Sequence, residues 1–349
     1  MRSSARPKII LVKLAGIGDV AMACRALNDF LSERSAPIDL HWIIDANLIS
    51  LAQELLNLPA DVTLKFHAVD TKRLFQGTAL EKAFQTARMA AAAARVRPGR
   101  VVLLHRDWRY RALLRPVFPG KIISLARDPI NEVFAYRAAL EKLGAGLNFE
   151  PRAKKNPKAT TGRAATGRIG ILVGGAKSTK LVYREKRWPW LAELLALILK
   201  DSRKTAVLYG GAEDAETADA LIRGATERKL NASRIENLTG KLKLHELPES
   251  LAALDAFISI DSGLIHIAAT VMTREGQKVL GLYGPTDPVV WGPTASGEAE
   301  VRLFSRSVPC SPCYRNDGRF RPCLYSGEMF QHCMKEITPE EVVKAALEG

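Results

Sequence analysis

Apolar residues along the chain alternate between short β-branched runs and longer stretches with helical spacing. The run Lys8–Leu14 is typical of a buried strand, and the segment Val20–Leu31 after it has the spacing of a helix. Alternation of this kind predicts βαβ units and a parallel sheet. The other strands predicted on this basis are His41–Ile44, Val101–His105, Lys121–Leu125, Arg168–Val173, Thr205–Tyr209, Ala256–Ile260 and Lys278–Tyr283.

The alternation is interrupted in the segment Pro151–Gly167, which is rich in Pro, Gly, Thr, Lys and Arg and has no apolar period. Such a composition predicts an interdomain linker or a long exposed loop. The later segments with helical spacing are Trp190–Lys200, Asp214–Arg228, Gly263–Val271 and Thr338–Leu347. The sequence therefore predicts an α/β protein with two Rossmann-like, doubly wound domains, residues 1–155 and 156–335, and a C-terminal helix within 336–349.

Length and charge limit the class of protein further. The 349 residues suffice for two domains, and no apolar run reaches the roughly 18 residues that span a bilayer. The basic start, Met1–Lys8, leads into a strand and turn rather than a signal peptide, so we expect a cytoplasmic protein. The net charge of +14 allows nucleic acid, an anionic membrane surface, a polyanionic substrate or a merely soluble basic surface.

A glycine-bearing turn, Gly16-Ile-Gly18-Asp19-Val-Ala21, follows the first strand. It matches a dinucleotide fingerprint, but a carboxylate at the helix N-terminus would repel a pyrophosphate. We therefore favour Asp19 as a general base at the rim of a cleft, with helix capping as the alternative. An NAD-dependent oxidoreductase would use Gly16, Gly18 and Ala21 with Asp39 or Asp45 on the ribose, and it leaves the motifs of the second half unexplained.

The second half contains a phosphate-binding pattern. An apolar strand ends in Asp261-Ser262-Gly263 and a helix follows at once, which predicts an anion site at the helix N-terminus. Gly263 would permit close approach of the phosphates, and Ser262 would add a hydroxyl donor. His266, one turn into the helix, either faces the phosphates or packs.

Three further motifs lie around this pattern. Glu213 follows the Gly210-Gly211 turn, where it would accept hydrogen bonds from ribose hydroxyls or pair with the helix dipole. Lys186, in Lys186-x-Trp188-Pro189, precedes a helix and could neutralise a phosphate. The rigid loop Tyr283–Pro288 follows the last predicted strand, at the sheet end where ligands bind in such folds.

Together with Leu238-Thr239-Gly240, these motifs resemble glycosyltransferase family 9, the heptosyltransferases of lipopolysaccharide core assembly. They occur in the family's order from residue 9 to about residue 293. The resemblance implies a GT-B fold, in which an N-terminal acceptor-binding domain and a C-terminal nucleotide-sugar-binding domain face each other across a cleft. It also implies an ADP-heptose donor and inversion at the anomeric carbon.

The resemblance also implies roles for individual residues. Asp19 falls on the position of the catalytic base, Lys186 on a lysine that contacts the donor phosphates and sugar, and Glu213 on a glutamate near the ribose. Leu242 falls near the adenine-contacting position. The donor sugar–pyrophosphate loop would comprise Asp261, Ser262, Gly263 and His266.

No two aspartates stand two residues apart, so the chain lacks a D-x-D metal motif for a sugar nucleotide. The leaving diphosphate would then be stabilised by a helix N-terminus and Lys186, without a catalytic cofactor.

The acceptor implied by the family is the phosphorylated, acidic inner core of lipid A, which implies peripheral contact with the inner face of the cytoplasmic membrane. Candidate acceptor-binding residues are Lys72, Arg73, Arg106 and Arg109. The run His105–Tyr110 departs from the family's usual acidic stretch, and an amphipathic surface helix is the alternative for it. A protein acceptor, such as an autotransporter, remains the rival to lipopolysaccharide.

Four of the five cysteines crowd near the C-terminus, within residues 310–333. Their pattern, Cys310-x2-Cys313-x9-Cys323-x9-Cys333, predicts structural zinc or iron, with free thiols as the alternative. Some family members that modify autotransporters have a four-cysteine iron site with different spacing. A basic zinc protein that binds nucleic acid would leave Asp19 and Asp261 without a role, so we expect no nucleic acid partner.

Overall fold

The computed structural model describes residues 6–35, 37–106, 108–116, 118, 120, 122–125, 130–143, 150–151, 165–175, 184–314 and 321–348. The chain divides into two compact units, Met1–Asn156 and Pro157–Gly349. The division falls within the segment predicted as a linker, whose residues 152–164 lie outside the described ones. No described helix is both long enough and apolar enough to cross a bilayer.

The first unit is an α/β unit. Its strands are β1 Lys8–Val12, β2 Arg34–Ser35, β3 Ile38–Asp45, β4 Val62–Val69, β5 Arg100–Leu103, β6 Ile122–Ser124 and β7 Glu150–Pro151. Its helices are α1 Ile17–Ser32, α2 Ile49–Leu55, α3 Thr71–Gln76, α4 Ala79–Val96, α5 Trp108–Leu114 and α6 Glu132–Glu141.

The main sheet of this unit is parallel, in the order β4-β3-β1-β5-β6. The strand order reverses at β1, so the carboxyl ends of β1 and β5 form the switch point where ligands bind in open α/β sheets. The central strand β1 is buried at four of its five positions because helices cover both faces. The short strands β2 and β7 form a separate antiparallel pair, so Pro151 lies in a strand rather than in the predicted loop.

The second unit repeats the plan. Its strands are β8 Arg168–Leu172, β9 Thr205–Tyr209, β10 Ile235–Asn237, β11 Ala256–Ile260, β12 Lys278–Tyr283 and β13 Glu300–Ser305. Its helices are α7 Leu191–Lys200, α8 Ala215–Glu227, α9 Leu247–Ala252, α10 Gly263–Val271, α11 Pro288–Trp291, α12 His332–Lys335 and α13 Pro339–Leu347.

This second sheet is also parallel, in the order β10-β9-β8-β11-β12-β13, and its switch point lies between β8 and β11. Strands β11 and β12 are buried at every position. The chain ends in a well-capped helix, because the Thr338 hydroxyl accepts from the Glu341 amide and the Glu341 carboxylate accepts from the Thr338 amide. The predicted α/β class is therefore confirmed.

Candidate functional site

The turn after β1 places Asp19 in the first turn of α1. Gly16 has φ +92°, in the left-handed region, and a Cβ there would come within 2.3 Å of Asp19 Oδ2. Glycine is therefore required at this position. No side chain caps the start of α1, and the Asp19 carboxylate is directed to Lys13. The alternative that Asp19 simply caps the helix is wrong.

Asp19 is held by a network at the switch point of the first unit. Lys13 Nζ lies 2.8 Å from Asp19 Oδ1, 2.7 Å from the Tyr136 hydroxyl and 3.0 Å from the carbonyl oxygen of Leu104. The Tyr136 hydroxyl donates to the same Asp19 oxygen at 3.1 Å. The Lys13 side chain is 5% exposed and that of Asp19 is 37% exposed. The cation is thus shielded, while the carboxylate reaches solvent.

Burial, followed by the charges of Asp19 and Glu132, raises the pKa of Tyr136 well above its usual value. Its hydroxyl therefore stays protonated and acts as a donor to Asp19. Lys13 stands at the end of a buried strand, where an ammonium without partners would be costly. Its three oxygen partners satisfy all three of its N–H donors.

His105 lies beside this network, two residues after the end of β5. Its Nε2 accepts from the Leu14 amide at 2.9 Å, and its ring stacks on Tyr110 with centroids 3.8 Å apart. Burial, followed by the charge of Lys13, holds the pKa of His105 well below its usual value. The imidazole is therefore neutral at pH 7, as its role as an acceptor requires.

The predicted acceptor-binding cations occupy different surroundings. Lys72 and Arg73 are exposed on α3, and Arg73 pairs with Asp70 at 3.3 Å. Arg106 instead forms an ion pair at 2.6 Å with Glu132, whose side chain is 4% exposed. The side chain of Arg109 lies outside the described residues. The assignment of these residues to acceptor binding stays a prediction.

Neither carboxylate named for NAD binding is placed on a ribose site. Asp45 ends β3, but it is 7% exposed and accepts from the amides of Asn47 and Thr71. Asp39 lies in the amino-terminal half of the same strand, where its carboxylate accepts from Thr63 at 2.8 Å. A ribose-binding acid would stand at the carboxyl end of the strand with its oxygens available.

In the second unit, β11 leads through Asp261 and Ser262 into α10. Lys186 Nζ lies 2.6 Å from Asp261 Oδ2, and the two side chains are 14% and 13% exposed. Ser262 is the N-cap residue, but its hydroxyl bonds to Ser259 at 2.9 Å and makes no capping bond. The first amides of α10 are therefore left without a side-chain cap, as an anion site requires.

The Lys186 turn is held from the C-terminal segment. The indole N–H groups of Trp188 and Trp190 donate at 2.9 Å to the carbonyl oxygens of Ile337 and Lys335. Lys186 Nζ also lies 5.4 Å from the centroid of the Tyr314 ring. The position of the ammonium is thus fixed by tertiary contacts that the Lys-x-Trp-Pro motif only suggests.

The remaining residues predicted to bind the donor lie on this unit and differ in their exposure to solvent. Glu213 is exposed, Leu242 and Gly263 are half-buried, and His266 is buried in α10. The neighbouring Asp214 is 3% exposed and accepts from the amides of Gly211 and Gly175. Sequence reasoning missed Asp214, although its position three residues after Gly211 is that of a capping-box acid.

The four C-terminal cysteines lie near one another without a metal-binding arrangement. Among the described residues, no group of three or more His, Cys, Asp or Glu is placed to hold a metal ion. The Cys313 thiol donates to the carbonyl oxygen of Cys310 at 3.3 Å rather than pointing to a shared centre. Burial, followed by the neighbouring cysteines, raises the pKa of Cys313 and of Cys333 to about 11. The prediction of zinc or iron at Cys310, Cys313, Cys323 and Cys333 is therefore not supported.

The segment that carries these cysteines packs against the Tyr283–Pro288 loop instead. The Tyr314 amide donates to the Pro285 carbonyl oxygen at 2.9 Å, and the Ser311 hydroxyl donates to that of Gly284. A Cβ on Gly284 would come within 2.8 Å of Cys333 Sγ. The segment thus supports the Tyr283–Pro288 loop.

Comparison with known proteins agrees with this geometry. Residues 70–323 match the family model described as "Glycosyltransferase family 9 (heptosyltransferase)". The chain belongs to this family. Asp19 precedes the matched residues, whereas the donor-binding candidates all lie within them. The family resemblance seen in the sequence is therefore confirmed.

Relatives of the chain match part of its sequence. It is 35% identical over 121 residues to lipooligosaccharide heptosyltransferase 2 of Haemophilus influenzae, which is 34% of this chain and 33% of that relative. The match thus spans about a third of the relative's length.

Two solved structures share the fold over most of the chain. The Escherichia coli heptosyltransferase WaaC with ADP aligns with a TM-score of 0.64 at 19% identity, over 97% of this chain and 98% of that one. The iron-containing dodecameric glycosyltransferase TibC of enterotoxigenic E. coli aligns with a TM-score of 0.52 at 16% identity, over 98% and 76%. These neighbours confirm the predicted GT-B fold class in its two α/β units, each built on a parallel sheet.

Proposed function

We propose that this family 9 protein is a heptosyltransferase that moves heptose from an ADP-heptose donor to the acidic inner core of lipid A, with inversion at the anomeric carbon and without a catalytic metal. The family match and the names of the relatives support the class of donor and acceptor. We further propose that the protein works at the inner face of the cytoplasmic membrane, where a lipid-anchored acceptor would be met.

The observation that carries the proposal is the pair of contacts by which Lys13 and Tyr136 hold the Asp19 carboxylate. Lys13 and Tyr136 both contact Oδ1, so Oδ2 is left to take the proton of an acceptor hydroxyl. As the hydroxyl oxygen attacks the anomeric carbon, Asp19 accepts its proton and the glycosidic bond to the diphosphate breaks. Tyr136 and Lys13 fix the carboxylate without taking part in the transfer.

The second unit supplies donor binding. The first amides of α10 and the Lys186 ammonium would meet the diphosphate, and both stabilise the charge that develops on it as it leaves. Asp261 holds the ammonium at 2.6 Å before the donor arrives. Glu213 would bind the ribose, and Leu242 would lie near the adenine. We also propose, from the family resemblance, that Ser262, Gly263 and His266 at the start of α10 contact the donor sugar and pyrophosphate.

The test is transfer from ADP-heptose to a lipid acceptor that lacks the core heptose. We expect Asp19→Asn to lower kcat at least about a hundredfold, the scale of a lost general base. Asp29→Asn is the matched control, because Asp29 lies on the same helix and pairs only locally with Arg25 at 3.0 Å. Equal activity of the two variants would contradict the role of Asp19.

The same assay tests metal independence, the anomeric configuration of the product and the identity of the acceptor separately. Activity that survives excess EDTA supports metal independence, and NMR of the product gives the anomeric configuration. Transfer to an autotransporter protein in place of the lipid would overturn the proposed acceptor while leaving the donor assignment intact.

A further inference from the structure

Helix α4 has an exposed apolar face that the transfer chemistry does not use. Its inner face is anchored by Met89 and Val96, which are 3% and 4% exposed and belong to the core of the first unit. The opposite face carries Leu80 and Phe84, which are 83% and 59% exposed. A single exposed apolar residue is common on protein surfaces, but a contiguous exposed apolar patch marks a surface where a protein meets a partner.

The exposed face extends along the helix. Leu80, Phe84 and three exposed alanines recur at spacings of four and three residues, and at 100° per residue they fall within an arc of about 80°. The alanines are Ala87, Ala91 and Ala94. We call Leu80, Phe84, these alanines and the flanking Arg88 and Arg95 the α4 surface.

Cations border this apolar face. Arg88 and Arg95 are exposed beside it, and the Arg88 guanidinium lies 6.0 Å from the centroid of the Phe84 ring. Residues 71–97, which comprise α3 and α4, contain six Lys or Arg and one Glu. The first unit as a whole contains 25 basic and 14 acidic residues, a net charge of +11, whereas the second contains 26 and 23, a net charge of +3.

We propose that the α4 surface docks on the anionic headgroups of a lipid bilayer, with the apolar face inserted at the level of the acyl boundary. An exposed apolar stripe flanked by cations is the pattern of helices that lie in a membrane interface. A second copy of this chain fits poorly, because two such segments would each bring a net charge of +5 to the contact. Nucleic acid would use the cations but would leave Leu80 and Phe84 in water.

The proposal deepens the proposed function by naming the surface that meets the bilayer of the acceptor. It rests on the proposed function only for the reason why the protein would dock on a bilayer. Its test needs neither donor nor acceptor. The full chain is sedimented with vesicles of phosphatidylcholine, either pure or with roughly one third phosphatidylglycerol. A failure of transfer and a failure of docking are therefore observed separately.

We expect binding to the anionic vesicles only, and weaker binding in high salt. Arg88→Gln/Arg95→Gln should weaken it about thirtyfold, since each interfacial cation contributes roughly fivefold. Leu80→Ser/Phe84→Ser should weaken it at least about tenfold. All these side chains are exposed, so thermal unfolding should be unchanged.

Matched controls come from other exposed positions. Phe134 on α6 is 57% exposed, close to the value for Phe84, and Phe134→Ser should bind vesicles like the wild type. Lys200→Gln/Arg223→Gln removes two exposed cations from α7 and α8 and should also leave binding unchanged. Undiminished binding by the α4 variants, or no binding of the wild type to anionic vesicles, would overturn the proposal. So would a dimer in sedimentation equilibrium that the Leu80→Ser/Phe84→Ser variant dissociates.

Discussion

The Tyr136 hydroxyl is the part of the Asp19 network that can be removed with least disturbance. Tyr136→Phe keeps the ring, which is 1% exposed, and removes one oxygen that accepts from Lys13 at 2.7 Å and donates to Asp19 at 3.1 Å. Both bonds involve charged partners, for which about 1.5–3 kcal/mol each is typical. Water can replace the bond to the half-exposed Asp19, and Lys13 retains two acceptors. We therefore expect a loss of about 2 kcal/mol in the free energy of unfolding.

The effect on transfer should be distinct from this loss of stability. Asp19 would keep its ion pair with Lys13 but lose its second contact, so we expect kcat to fall about tenfold with an unchanged KM for ADP-heptose.

Tyr209→Phe is the matched control for this prediction. Tyr209 is also 1% exposed, but its hydroxyl bonds to Ser250, a neutral partner, at 2.7 Å. We expect urea unfolding to show a loss of about 1 kcal/mol and kinetics to show no change in kcat. If both variants keep the wild-type kcat, Tyr136 is only a packing residue and the reasoning fails.

Three other predictions follow from described contacts. Burial is the main cause that lowers the pKa of His41, His67 and His105 in the folded chain. Below about pH 6.5 the unfolded chain therefore binds more protons than the folded one, and stability is lost as pH falls. The urea midpoint should be lower at pH 5.5 than at pH 7.5, and an equal or higher midpoint at pH 5.5 refutes this. Gly284→Ala should cost about 1–3 kcal/mol in thermal unfolding, because its Cβ would come within 2.5 Å of a sulfur of α12; a wild-type melting temperature would contradict it. Lys186→Met should weaken ADP binding in calorimetry at least about tenfold, and unchanged affinity would exclude a phosphate contact.

The strands of the second unit were predictable because they are buried on both faces. The bounds of β9, β11 and β12 agree with the continuous apolar runs in the sequence. β4 was missed because Val62–Val69 has polar residues at its exposed positions. α4 was missed because its alanine-rich outer face has no polar contrast with the buried one.

The candidate site was predictable only in its outline. The glycine turn identified Asp19, since it lies within three residues of Gly16. Its partner Tyr136 is separated from it by 117 residues, and no local pattern gives that contact. Lys13 did carry a signal, because a lysine at the end of an apolar strand requires a buried partner, but the identity of the partner came only from packing. The cysteine spacing gave proximity but not coordination.

The total charge of +14 could not decide between partners, but its distribution does limit the choice. Within the Asp19 network, Lys13 is paired with Asp19, and the nearby Arg106 is paired with Glu132. The excess positive charge of the first unit therefore does not come from the paired cations around Asp19. Part of it lies on the surface of α3 and α4, where residues 71–97 contain six Lys or Arg and one Glu. A charge placed apart from the reacting groups acts on encounter and orientation. Under the proposed function, the basic character of this chain therefore bears on what its first unit docks to rather than on how Asp19 removes the proton of the acceptor.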